Sequence, residues 1–331
     1  MKGGHLVPAR APPKTAGGLP GRCRPLTEWL LTGGCGLESS AAPADDGPIT
    51  LGFVNGGSTE FHTCLQESIA NTAKSNFARL VTADSHQNAA QELSNIQSMI
   101  ARHVDAIIVQ TVNTDALQER HRQGQEGAHS DLPDLGQCRS VRHPRSRRRR
   151  PEGGRAKLDA DWIEDDAAGR EVQVAVIAGA PGAASDLLVG GFTKGLPANA
   201  KVVANQPAMF VAAKAKIVAA DMIKAHPRLD YAFVANEEMA FAARKAFDAA
   251  GGKKVKIVTV NGTDEALAAL KDGRFAATVS NSAKDTGELA VTNVISLLRK
   301  EKVEKIATTP ARLVTKANAD TAPLYCPSDG L

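Results

Sequence analysis

YAFVANEEMAFAARKAFDAAGGKKVKIVTVN, residues 231–261, reads as strand, helix, strand. Tyr231–Ala235 and Val255–Val260 are short runs rich in apolar and β-branched residues, the composition of strands buried on both faces. Between them Glu237–Ala249 has the length and spacing of a helix, with Asn236 where a cap would stand. Glu237 and Glu238 are not read as a pair of catalytic acids, because neighbours at a helix start point in different directions. They suit the positive end of the helix dipole. Two buried strands joined by a helix form the crossover unit of a parallel sheet, so this stretch indicates an α/β fold.

The same rhythm extends both ways. Before it, strands are expected at Val172–Ile177 and Lys201–Asn205, with helices at Ala183–Gly195 and Ala212–Ala225. After it come a helix at Asp264–Lys271, a strand at Ala276–Ser280, a long helix after Ser282 and a last strand near Ala311–Val314. Ser282 and Asp285 have capping-box spacing. The first half repeats the pattern with strands at Ile49–Val54, Arg79–Ala83 and Ala106–Val109, and helices at Phe61–Phe77 and Asn88–Arg102. Leu93, Ile96 and Ile100 share one helix face. Asn113-Thr114-Asp115 begins another helix. No repeat of solenoid length is present.

From Glu119 to Lys157 the alternation stops and Arg, Gly, His, Pro and Gln take over. Structureless loops longer than about 15 residues are uncommon inside compact domains. The segment reads as an aberrant, unstructured insertion, and its composition suggests translation of GC-rich DNA in a shifted frame. Its eleven basic and five acidic residues exceed in surplus the chain's whole net charge of +4. A basic partner-binding reading would therefore rest on Arg147–Arg150 and their neighbours, and no nucleic-acid motif accompanies them. Residues 1–47 read as a leader or disordered tail. Lys2 and Arg10 supply charge and Ala42-Pro43-Ala44 resembles a cleavage site, but the apolar run is limited to Trp29-Leu30-Leu31. Leu31-Thr32-Gly33-Gly34-Cys35 loosely resembles a lipoprotein box, which makes Cys35 a candidate for a lipid anchor.

At 331 residues and 43% hydrophobic content, the chain can bury a core in each of two domains. No stretch approaches the roughly 20 apolar residues of a membrane span. The aromatic content of 4% argues against an aromatic nucleic-acid platform. Cys23, Cys35, Cys64, Cys138 and Cys326 are odd in number and lack paired spacing, so neither a disulfide framework nor a zinc site is expected. His62 and Cys64 have no further ligand nearby, and no metal or cofactor is expected. Asn55-Gly56-Gly57-Ser58 follows the first strand in place of a dinucleotide fingerprint, and neither a P-loop nor a nucleophile elbow is found, so the chain is not expected to be an enzyme.

Several motifs stand in order along the second half: Asn205-Gln206-Pro207-Ala208, Ala225-His226-Pro227, Val234-Ala235-Asn236-Glu237-Glu238-Met239-Ala240, Val260-Asn261-Gly262-Thr263, Leu270-Lys271-Asp272-Gly273 and Ala276-Ala277-Thr278-Val279. With Gln91-Glu92-Leu93-Ser94-Asn95-Ile96-Gln97 in the first half, they resemble the ribose-binding branch of the periplasmic sugar-binding proteins of ABC importers. The resemblance implies the type I fold: two doubly wound, Rossmann-like α/β lobes joined by three hinge crossings, with a small sugar held at the carboxyl ends of the strands. The expected lobes are residues 48–118 with 282–309, and 158–281 with 310–325, the first being incomplete. A monomeric periplasmic protein that hands its sugar to a membrane permease follows from the same resemblance. The alternatives are a sugar-responsive regulator of this fold without its DNA-binding domain, and a frameshifted product unable to bind. A regulator would need a helix-turn-helix, and residues 1–47 show no helical pattern.

The resemblance also implies a ligand site. Asn55 and Thr59 match polar positions after the first strand, while Phe61 and His62 stand where two aromatics are common. Phe210 matches an aromatic of the other lobe, and Asn236, Asn261 and Asn281 match polar strand-end residues. The bland alternatives are a core role for Phe61, packing or surface for His62, and helix capping for Asn236 and Asn261. Asn261 stands where a carboxylate is usual, Leu188 where an arginine clamps the ligand, and an Asp-Arg pair after a fourth strand has no counterpart.

Overall fold

The computed structural model describes residues 47–112, 154–304 and 306–327. The leader with Cys35, the helix start at Asn113 and the arginines 147–150 lie outside the described residues.

The first sheet holds β1 (Thr50–Asn55), β2 (Arg79–Asp84) and β3 (Ala106–Val109), with α1 (Glu60–Ser75) and α2 (Ala89–Ala101) as crossovers. Its order is β2-β1-β3, all parallel, with Asn55 opposite Asp84 at the carboxyl end. Asn88 caps α2, its side chain accepting from the N–H groups of Ala90 and Gln91. Leu51 and Phe53 of β1 are fully buried and pack with Leu65 and Ile69 of α1. β3 is different. Ala106-Ile107-Ile108-Val109 is written like a central strand, yet every residue of it is only half-buried. Among the described residues the sheet ends at β3.

The second sheet begins after α3 (Lys157–Ala167). It comprises β4 (Val172–Ala178), α4 (Ala183–Gly195), β5 (Ala200–Pro207), α5 (Ala212–Ala225), β6 (Tyr231–Val234), α6 (Glu237–Ala249), β7 (Lys256–Asn261), α7 (Asp264–Asp272) and β8 (Ala277–Ser280). After α8 (Ala283–Leu298), β9 (Leu313–Thr315) completes the order β5-β4-β6-β7-β8-β9, in which only β9 runs antiparallel. Its core is separate and larger, with Phe192 stacked on Phe233 at 4.4 Å. α8 belongs to the other lobe. Ser68 Oγ of α1 donates to the Lys284 carbonyl at 2.6 Å, and a Cβ on Gly287 would lie 2.5 Å from Ser68 Oγ. Gly287 is therefore what lets α8 lie this close to α1.

Three expectations need correction. The aberrant segment does not extend to Lys157: residues 154–156 lead into α3, which begins at Lys157 and which the sequence reading does not name. Its buried stripe of Ala156, Ala160, Ile163 and Ala167 is mostly alanine and is interrupted by acids, so its periodicity is faint. The cysteines are not without a bridge, because Cys64 of α1 and Cys326 of the tail form a disulfide. An odd total says nothing about a pair 262 residues apart that only the fold brings together. Finally, the tail does not end in the second lobe. Ala319 packs there, but Tyr325 is buried in the first lobe's core, beside the disulfide.

Candidate functional site

At the end of β1 the chain passes through Gly56 and Gly57 into α1. A Cβ on Gly56 would lie 2.2 Å from Gln110 Oε1, so only glycine allows this approach of the strand ends. Gln110 in turn reaches His62. The ring of His62 is held at both nitrogens, Nδ1 at 2.7 Å from Thr59 Oγ1 and Nε2 at 3.1 Å from Gln110 Oε1. Burial pushes its pKa down, against the opposing influence of Gln110 and Asp84. The imidazole is thus a neutral, oriented wall. Asn55 is almost fully buried, and its Nδ2 donates to the His62 carbonyl at 3.2 Å and to Gln66 Oε1 at 3.4 Å. Its Oδ1, also buried, has no hydrogen-bond donor. Phe61 packs against the first core, between His62 and Tyr325 at ring distances of 6.0 and 6.5 Å.

On the other lobe Asn236 caps α6, its Oδ1 accepting from Met239 N at 3.0 Å. Asn261 ends β7 with φ 147°, and its carbonyl accepts the Asn281 N–H at 2.8 Å. The loop after Asn261 is fixed by Glu237. This buried carboxylate accepts from the N–H groups of Gly262 and Thr263 at 2.7 and 2.9 Å, and from the hydroxyls of Thr263 and Thr278 at 2.6 and 2.5 Å. Burial raises the pKa of Glu237, and those four donors pull it back. Phe210 has φ 56°, and its ring lies over Gly179, where a Cβ would be 2.1 Å from Cζ. Leu188 packs against the second core and offers no polar group. A cavity of about 360 Å³ in the same lobe is lined by Gly179, Ser185, Asp186 and Asn205.

Two residues were missed by the sequence reading. Arg155 donates to Asn281 Oδ1 at 2.8 Å and to Thr309 Oγ1 at 2.6 Å, so it ties the start of α3 to both later crossings between the lobes. Burial lowers its pKa, and no carboxylate among the described residues pairs with it. It falls within the segment whose composition reads as aberrant. Glu238 was read as a dipole partner of its own helix, but it accepts the Glu60 N–H of α1 at 2.9 Å, across from one lobe to the other. That contact brings the Thr59 side of the first lobe opposite the Asn236 side of the second.

Comparison with known proteins agrees with this architecture. Residues 155–302 match the family model of the periplasmic binding protein domain. The ribose import binding protein of Bacillus subtilis is 27% identical over 303 residues, covering 88% of this chain and 96% of its own length. That of Escherichia coli is 28% identical over 264 residues, 77% and 86% of the two chains. Among solved structures, the periplasmic component of the arabinose ABC transporter of Shewanella sp. ANA-3, bound to L-arabinofuranose, superposes with TM-score 0.69 at 26% identity, covering 82% of this chain and 94% of its own. An ABC transporter solute-binding protein from Mycobacterium smegmatis, with bound glycerol, gives TM-score 0.71 at 20% identity, covering 85% and all of the two chains. The two parallel α/β lobes have the fold of the type I periplasmic binding proteins. Over most of its length the chain is similar in sequence to these ribose import binding proteins.

Proposed function

We propose that the chain captures a small neutral sugar between its lobes and delivers it to an ABC-type membrane permease, acting as a monomer and without nucleic acid. The observation that carries this reading is Asn55 Oδ1, a buried acceptor lacking a donor at the carboxyl end of β1. An unpaired buried acceptor costs about 1–3 kcal/mol, and a sugar hydroxyl is the donor that would remove the cost. Thr59, His62, Phe210, Asn236, Asn261 and Asn281 would complete the walls, with Phe61 behind them in the first core. The proposed lobes are residues 48–118 with 282–309 and the end of the tail, and residues 154–281 with 310–322. Export fits the Cys64–Cys326 bridge, since disulfides persist in oxidising compartments. The leader would carry the signal, with Cys35 as a candidate lipid site.

The test is a thermal-shift screen with pentoses, hexoses and polyols. A ligand at 100 times its Kd adds about 2.7 kcal/mol to stability. A rise in Tm of several degrees with one sugar and none with others is expected. No rise with any sugar, in a chain that melts cooperatively, would overturn the reading. It would favour the binding-incompetent product.

A further inference from the structure

We infer that Glu238 is the latch of the closed state, a side chain of one lobe that caps the first helix of the other and touches no ligand. The inference rests on the proposed binding by closure. The first turn of every α-helix leaves N–H groups without partners inside the helix. In α1 the cap residue is Thr59, whose hydroxyl makes no capping bond because it is engaged with His62 Nδ1. The Glu60 N–H is satisfied from outside, by Glu238 Oε1 at 2.9 Å.

Electrostatics favours the same assignment. The N-termini of α1 and α6 approach each other here, and two positive dipole ends repel unless negative charge lies between them. Glu238, in the first turn of α6, supplies that charge to both. Glu237 is turned inward onto Gly262 and Thr263, so it cannot take this role. Glu60, Asp264 and Glu265 add to the negative field, and Tyr325 lies on the first-lobe side. When the lobes part, α1 loses its cap and the dipoles lose their shared countercharge. Closure is stabilised by an interaction that exists only in the closed form, which is the requirement for shifting such an equilibrium.

The experiment uses the full chain without sugar. Hydrogen–deuterium exchange is followed in the peptide covering residues 58–63, beside the radius of gyration from solution scattering. Glu238→Ala should speed exchange of that peptide about three- to tenfold, the size of a lost helix cap, and should raise the radius of gyration. Glu238→Gln keeps an uncharged acceptor and should fall between. Glu265→Ala, which removes field but no bond, should leave exchange at the wild-type rate. Equal exchange in wild type and Glu238→Ala overturns the latch, whether the amide is protected or open in both, and so does an effect of Glu265→Ala as large as that of Glu238→Ala. Because no sugar is used, failure of the latch is distinct from failure of the sugar screen on the wild-type chain.

Discussion

Asp159 should be a liability to this fold, and replacing it with alanine should stabilise the protein. It lies on the buried face of α3 with Ala156, Ala160 and Ile163 and has no exposed surface, and neither carboxylate oxygen has a hydrogen-bond donor. Burial raises its pKa well above the ordinary carboxyl range, and the nearby charge of Glu237 adds to the effect. A buried polar group without a partner costs about 1–3 kcal/mol in protein mutational data. Removing the carboxyl leaves a hole of roughly 30 Å³, which returns about 1 kcal/mol of that. A net gain of up to about 2 kcal/mol remains, or up to roughly 3 °C in Tm for a protein of this size. The sign of the pH dependence follows from the raised pKa. Above the unfolded value the unfolded chain binds fewer protons than the folded one, so this group lowers stability as pH rises toward and through its folded pKa. The wild-type Tm should therefore gain on the Asp159→Ala Tm as pH falls from 8 toward 5. Differential scanning calorimetry at several pH values, with Asp159→Asn as the size-matched control, decides the matter. If Asp159→Ala melts at or below wild type at pH 7, the carboxylate has a partner that this reasoning lacks.

Two further perturbations are informative. Non-reducing peptide mapping should recover the Cys64–Cys326 link, and reduction should cost about 2–4 kcal/mol of stability, read as a lower Tm in dithiothreitol; an unchanged Tm would mean that the tail docks without its bridge. Arg155→Ala should lower stability by about 2–3 kcal/mol by releasing Asn281 and Thr309, and Arg155→Lys should fail to restore it, since a single ammonium cannot reproduce the fork that spans both. Full rescue by lysine in thermal melts would reduce the site to a point charge.

The strands of both sheets were legible because each is a short apolar run between turn residues, and they fall within a residue or two of their expected places. The caps at Asn236 and Ser282 were legible for a local reason, a polar side chain immediately ahead of a helical pattern. α3 escaped notice because alanines carry its buried face and Asp159 sits among them. The site was only partly readable. Asn236 and Asn261 could be placed at strand ends, but whether a side chain caps, pins or faces the cleft depends on neighbours far away in sequence. Arg155 meets Asn281 across 126 residues and Glu238 meets Glu60 across 178, so no local pattern announces either contact. The signal that was available for Arg155 lay in its position at the very point where β-α order resumes.

The bridge between Cys64 and Cys326 also changes what kind of object the polypeptide is. It closes a covalent ring that contains the whole second lobe, every crossing between the lobes and the arginine-rich stretch. A protease that cuts at one of the arginines 147–150 opens a ring and does not sever a chain. The two fragments would travel as one molecule in a non-reducing gel and part only when the sulfurs are reduced. A receptor so closed can be nicked in its most basic segment and still keep α1, the second lobe and the tail on a single covalent frame.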